Sequence, residues 1–348
     1  MAVATVKRGQ AGFSLVELMV GMVLGLMLIA GAVSIYLASK QSYTEVEQVA
    51  NLTENARFAE QVLGDSLRHA GFMGEVPASR VELDPNLDAV AGDCTVAGSE
   101  AYNLNRLGFA ATVDNAGNAL GCIDDAYVPP VGSANDVLVI KHAIPFAYSD
   151  GPRNAFDPND PTHSDGVIDY LTTAEAQEKT FVMTNNVGGL LFDGADTPPT
   201  IVTGGEIPGG TAWEYQYEVF YIRDGDVPRL SRKYLGWDSG VGAMGLLDDD
   251  LVEGVERLHL LFGFDSDGDG EVDRYSDIAG IGGNWAGVES VEVFMLVRSA
   301  VPDAQYTDNK VYTLGNVTVA APNDRFRRLV SHTSISLRNL KLAIRGGA

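Results

Sequence analysis

The chain has 348 residues, 45% of them hydrophobic, and a formal net charge of −23. A body this acidic repels phosphate backbones, so no nucleic-acid binding through a broad basic surface is expected. The length suffices for one large or two small globular units beyond an N-terminal helix.

The first element is a short basic leader, residues 1–12, which carries Lys7 and Arg8 and ends at Gly12. One carboxylate, Glu17, then stands at the mouth of a long apolar run. Residues 18–38 hold 21 positions without a charge. At ~1.5 Å per residue that is ample for a helix crossing a hydrocarbon core of ~30 Å. A carboxylate beside such a segment is expensive to bury and needs a partner. An ordinary secretory signal would use Lys7 and Arg8 as its basic region and be cut near Ala30, Gly31 and Ala32. The apolar run exceeds the usual ~7–15 residues of such signals, and Glu17 would lie inside it. A plain membrane anchor accounts for the length but not for Glu17.

Past the span, Val46, Val49, Leu52, Ala56, Ala59, Leu63 and Leu67 recur at three- and four-residue spacing. Glu45, Glu47, Glu54, Arg57, Glu60 and Asp65 lie between them. The pattern predicts an amphipathic helix running on from the apolar one. Gly71, Gly74 and Pro77 stop it. From Phe13 to Ala70 such a helix would be ~87 Å long.

From Glu75 the chain changes to short runs of β-formers separated by Gly, Asp, Asn and Pro. Residues 76–135 read as loop-rich and hold both cysteines, Cys94 and Cys122. In an exported chain this even count predicts one disulfide, closing a loop of roughly 28 residues and stabilising by ~3 kcal/mol. The spacing suits neither a zinc site nor a C-x-x-C redox pair. Strands are expected at 137–141, 181–183 and 213–222, the last turned by Asp224 and Gly225 toward a hairpin partner at 229–234. Further strands are expected at 288–297, 311–314 and 329–340, with exposed loops at 151–166 and 194–212. The class is α+β, a long N-terminal helix packed on an antiparallel β head.

Residues 265–277 carry the second chemical signal. Asp265, Asp267 and Asp269 fall at positions one, three and five of a calcium-type loop, with Gly270 at six, Glu271 at seven and Asp273 at nine. Calcium takes hard oxygens, and this spacing can wrap three carboxylates round one ion while Glu271 contributes its main-chain carbonyl. Position twelve departs from the pattern: Ser276 replaces the bidentate Glu, and Asp277 comes one residue late. A weak, extracellular type of calcium site between strands is therefore expected. The alternative is an acidic turn whose Asp-Gly pairs serve backbone conformation. A fainter echo at Asp165 and Asp169 would place the poor ligands Pro161 and His163 at positions one and three, with Asp157 and Asp160 nearby.

No catalytic residue is expected. His69, His142, His163, His259 and His332 show no metal-ligand spacing, and no H-E-x-x-H, G-x-S-x-G or phosphate-binding loop is present. His142 reads as a partly buried or edge residue of a strand. Tyr215, Tyr217 and Tyr221, at period two, read as one sheet face.

The basic leader, the string Gly-Phe-Ser-Leu-Val-Glu from Gly12 to Glu17 and the apolar run together resemble the class III signal of type IV prepilins and pseudopilins. The resemblance implies that a prepilin peptidase cuts between Gly12 and Phe13 and methylates the new N-terminus. Glu17 is then the fifth residue of the mature chain, and it neutralises the N-terminal amine of a neighbouring subunit when helices pack into a filament. The stretches 52–59, 68–74 and 251–256, Phe262 and Gly263, the acidic loop, the strand ending at Ser299, and the closing Leu337, Arg338 and Asn339 are similar to minor pilins of the PilW type.

By that resemblance residues 1–12 are a leader, 13–40 the membrane and filament-core half of a spine helix, 41–74 its amphipathic half, and 75–348 an extracytoplasmic head. The implied function is a minor pilin that primes a type IV pilus and sits at its tip. The implied partners are other minor pilins, the major pilin, the peptidase and a large tip adhesin, with adhesion and twitching motility as the processes served. Such a chain lies in the inner membrane before assembly and in the extracellular pilus after it. The rival readings are a J-like minor pseudopilin of a type II secretion system, a tip ligand-binding subunit, and a secreted enzyme with an ordinary signal.

Overall fold

A computed structural model of the chain describes residues 12, 14–105, 108–112, 118–130, 132–148, 167–168, 171–269, 271–282 and 285–339. The leader up to residue 11, Phe13, the loop 151–166 with Asp157, Asp160, Pro161, His163 and Asp165, and also Asp169, Gly270 and Leu340 lie outside the described residues. The chain divides into two compact units, Met1–Asn51 and Leu52–Ala348.

Helix α1 (Leu15–His69) is continuous, as the merged apolar and amphipathic patterns require. Residues 14–40 are exposed apart from half-buried Gly25. Among the described residues α1 is the one helix long and apolar enough to cross a membrane. In the second unit Leu52, Ala56, Ala59, Leu63 and Leu67 are buried, as their spacing predicts. Val46 and Val49, expected on the same stripe, belong to the first unit and are exposed. The helix stops at Gly71, whose φ is +77° and whose N–H donates to Lys141 O. A left-handed glycine is the usual terminator.

Strands β1 (Val81–Leu83), β2 (Gly108–Thr112), β3 (Asp136–Tyr148), β4 (Thr180–Thr184), β5 (Gly189–Asp193), β6 (Thr211–Arg223), β7 (Arg229–Asp238) and β8 (Ala243–Glu253) form an eight-stranded sheet. The path runs β1-β5-β4-β6-β3-β2, and the β7–β8 ribbon joins the C-terminal half of β6. The expected 229–234 hairpin partner is β7, which pairs with β6 from Glu218↔Tyr234 to Arg223↔Arg229. The remaining strands are β9 (Val255–Phe264), β10 (Arg274–Ser276), β11 (Val288–Arg298), β12 (Tyr312–Leu314), β13 (Val317–Val319) and β14 (Arg328–Ser336). Four of them make an antiparallel sheet in the order β10-β9-β11-β14, and β12–β13 is a separate hairpin.

Two features differ from expectation. The β1–β5 pair is parallel, so the head is mixed rather than purely antiparallel. The last strand ends at Ser336 rather than running on to 340: Leu337 N–H still donates to Glu289 O in the β11–β14 register, and the chain turns helical at Arg338 and Asn339.

The two sheets and α1 share one core. Leu138 and Ile140 of β3, Phe220 and Ile222 of β6, alternate residues of β9 from Leu258 to Phe264, and Val291, Val293, Met295 and Val297 of β11 meet the α1 stripe. The opposite face of the first sheet, with Val137, Val139, Tyr215, Tyr217 and Tyr221, is covered by the disulfide-bearing segment. The opposite face of the second sheet, at Leu296, is covered by Tyr312, Leu314 and Val319 of the hairpin. Central strands are thus buried on both sides, which explains why 137–141 reads as an apolar run without alternation.

Candidate assembly and cation sites

At the start of α1, Ser14 N–H donates to Glu17 Oε2 at 2.9 Å and Glu17 N–H donates to Ser14 Oγ at 3.2 Å. This reciprocal capping box satisfies two of the helix's orphan donors and sets a carboxylate at the positive end of its dipole. Glu17 is exposed and is the sole acid in residues 14–44. A carboxylate has several lone pairs, so capacity is left for an ammonium group. The cap is legible in the spacing Ser-x-x-Glu from Ser14 to Glu17. Gly12 is exposed, and a Cβ there would meet nothing within 4 Å.

The acidic loop joins β9 to its antiparallel neighbour β10. Asp265, Asp267 and Asp269 each bring a carboxylate oxygen within 4.8 Å of the others. Backbone donors shape the turn: Gly268 N–H reaches Asp265 Oδ1 at 2.6 Å, and Glu271 N–H reaches Asp269 Oδ1 at 2.8 Å. Gly268 takes the left-handed position, φ +81°, one that β-carbons disfavour. The Asp273 side chain is not in the converging group; Glu271, expected to act through its main-chain carbonyl, would not enter a group of side-chain oxygens. Asp273 Oδ2 accepts from Ser266 N–H at 2.8 Å and from Ser266 Oγ–H, and those bonds hold its carboxyl below the usual range.

Asp277 is also committed elsewhere. It caps α3 (Ile278–Ile281), taking Gly280 N–H at 2.9 Å, and its Oδ2 accepts from Asn316 Nδ2 at 3.0 Å. The three converging side chains are all hard oxygen donors, a set that fits calcium rather than a soft metal.

Cys94 and Cys122 form the expected disulfide, across 28 residues. The segment it closes is fastened to β3 and β6 from beneath. Tyr217 OH donates to Ser99 O at 2.7 Å, Tyr215 OH donates to Ala101 O at 2.5 Å, and buried Lys141 donates Nζ–H to Asn103 O at 2.6 Å. The three tyrosines share one face, as their spacing predicts. Burial pushes the hydroxyls of Tyr215 and Tyr217 well up and that of nearby Tyr102 up to about 12. Opening the disulfide, by Cys94→Ser with Cys122→Ser, is expected to lower stability by ~3 kcal/mol in denaturant titrations of the full chain. An unchanged midpoint would show that the tyrosines and Lys141 alone hold the segment.

His142 is buried, with Nε2 at 3.6 Å from Glu218 Oε2, and Glu218 also takes Arg232 Nη1–H at 2.6 Å. A second cluster joins residues with no local sequence pattern. Arg328, at the start of β14, donates to Glu256 Oε1 at 2.6 Å, Asp308 Oδ2 at 3.0 Å and Asp324 Oδ1 at 2.7 Å. One guanidinium thereby ties β9 to both ends of the excursion that carries the β12–β13 hairpin.

Two family models match the chain. That of type IV pilus-assembly protein W, PilW, matches residues 219–339, and the prokaryotic N-terminal methylation motif matches residues 7–33. The first span contains the acidic loop and Arg328; the second contains Gly12 and Glu17. No curated protein and no solved structure matches the chain.

Proposed function

As a type IV pilin-like assembly protein of the PilW family, carrying the prepilin methylation motif and an apolar helix that anchors it in the membrane, the chain has a defined setting, and we propose that within it the protein is a minor pilin that primes a type IV pilus and sits at its tip. The observation that carries this reading is Glu17, presented at the N-terminal end of the exposed stretch 14–40 and the one acid in residues 14–44. Cleavage after Gly12 would leave a cationic amine on Phe13. In the low dielectric among packed helices that amine and a neighbour's Glu17 stabilise each other far more than in water.

Other minor pilins, the major pilin, the peptidase and a large tip adhesin are the partners. The role is assembly rather than turnover, with no catalytic residue. The bulk of the Leu52–Ala348 unit favours an end position over a regular shaft. Deleting the chain is expected to cut the number of pili per cell severely, and tagged chain should label pilus tips. Normal piliation without it, or label along the whole shaft, would contradict the priming and tip reading.

Calcium belongs to the same proposal. Asp265, Asp267 and Asp269 would hold the ion and lock the β9–β10 connection. At calcium a hundredfold above its dissociation constant the gain would be about 2.7 kcal/mol. Chelation is expected to lower the melting temperature by several degrees, and Asp267→Asn to abolish the difference. A melting temperature indifferent to chelator would make the loop an acidic turn only.

A further inference from the structure

His259 lies on β9, on the face turned away from the main core, and both of its ring nitrogens meet acceptors. Nδ1 is 3.0 Å from Asp136 Oδ2 at the start of β3, and the same oxygen accepts Leu260 N–H at 2.8 Å. Nε2 is 2.7 Å from Asn316 Oδ1, in the turn of the β12–β13 hairpin. The far side of the Asn316 amide fixes its orientation: Nδ2 donates to Asp277 Oδ2, and an ionised carboxylate only accepts. A neutral imidazole has one N–H and one lone pair, so it satisfies one of these oxygens and opposes the other. The imidazolium satisfies both. With the residue 8% exposed, solvent does little to relieve a mismatch.

The turn itself is pressed against the sheet. Gly315 has φ +58°, and a Cβ there would stand 2.7 Å from Leu261 Cδ1 and 3.0 Å from Phe294 Cε2. Asn316 thus reaches His259 only while the hairpin is docked. Four elements meet at this one ring: β3 through Asp136, β9 itself, the hairpin through Asn316, and the cap of α3 through Asp277.

We propose that protonated His259 is a latch that holds the β12–β13 hairpin and the α3 cap on the sheets, and that loss of its proton releases them. This holds whether or not the chain works at a pilus tip. The charged and titratable groups round the ring are Asp136 from β3, Asp277 from the α3 cap and Arg257 one pleat away on β9, the last donating to Ser133 O. Across the sheet Phe294 pairs with His259 in register, and beyond it His332 stacks on Phe294 and lies 3.8 Å from Glu292. Burial alone would lower the proton affinity of His259, but the hydrogen bond and charge of Asp136, with Asn316 and Asp277, carry it above the ordinary value. A raised folded value means that the stabilisation is complete below about pH 6.5 and is lost as pH rises through the folded value. The latch is shut in acid and opens toward alkaline pH.

The test uses the full chain in detergent micelles, with the histidine ring nitrogens labelled for NMR and hydrogen exchange read on peptides covering 312–319. Both ring nitrogens of His259 are expected to carry protons at pH 6, with a midpoint above that of an exposed histidine, as the bonds to Asp136 and Asn316 require. Hairpin protection, corrected for the intrinsic rate, should fall about tenfold through that midpoint. Asn316→Ala, an exposed turn substitution, should move the midpoint down and make hairpin protection independent of pH. An ordinary midpoint, hairpin protection that stays flat across the titration, or a midpoint unmoved in Asn316→Ala would each overturn the latch.

Discussion

Replacing Glu17 by alanine is expected to leave the chain in the membrane fraction and to cut its recovery with sheared pili by two orders of magnitude or more. Insertion depends on the charge-free stretch 18–38, which the substitution only lengthens. Assembly depends on an ion pair in a poorly polar environment, and removing one partner there costs about 3–5 kcal/mol, because the amine stays buried without a counterion. Loss of the capping box is a smaller effect, about 1 kcal/mol. Glu17→Gln separates the two. Its amide oxygen can still accept from Ser14 N–H, as Glu17 Oε2 does, but it carries no charge. If the charge matters, Gln fails almost as badly as Ala. Wild-type recovery with Gln would assign Glu17 to helix capping alone.

The second large effect belongs to Arg328. Arg328→Ala is expected to destabilise the head by about 3–5 kcal/mol, because the acids round it lose their common cation. The Asp308 side chain is 0% exposed and Glu256 8%, so water cannot replace the guanidinium. Arg328→Lys should recover only part of the loss, since one ammonium cannot reproduce paired donation at 2.7 Å to both oxygens of Asp324. Denaturant titration measures both variants, and a cost below ~0.5 kcal/mol for Arg328→Ala would place the cluster with ordinary surface ion pairs. The hydrogen bonds and charge of Arg328 also hold Asp324 below the usual carboxylate range. That contribution is present above about pH 3.9 and fades as pH falls through the folded value.

What could be read from the sequence divides by how local its cause is. Helix α1 was legible because the 18–38 run and the Leu52 to Leu67 stripe are properties of neighbouring residues. The β6–β7 hairpin was legible for the same reason, through alternation and the Asp224-Gly225 turn. The disulfide followed from there being just two cysteines. By contrast β8 contains Asp248, Asp249 and Asp250, which look like a loop until Lys233 and Arg232 on β7 are seen opposite the first two and Arg229 beside the third. In β9 every residue is buried, so no period-two signal exists to find.

The acidic loop shows the same limit within one motif. Spacing correctly brought Asp265, Asp267 and Asp269 together, since one turn of chain decides that. It could not reveal that Ser266 takes Asp273, nor that Asn316, 39 positions away, takes Asp277. His259 and Arg328 carry no local pattern at all. Their meaning lies in Asp136, Asn316, Asp308 and Glu256, which only the folded sheets bring to them.

Intact-protein and N-terminal peptide mass spectrometry on the chain recovered from pili tests the whole account most directly. The expected product begins at N-methylated Phe13, with residues 1–12 gone and Glu17 fifth in line. A product that retains Met1, or one that begins near Val33 after an ordinary signal cut, would remove the charge pair on which the assembly role rests.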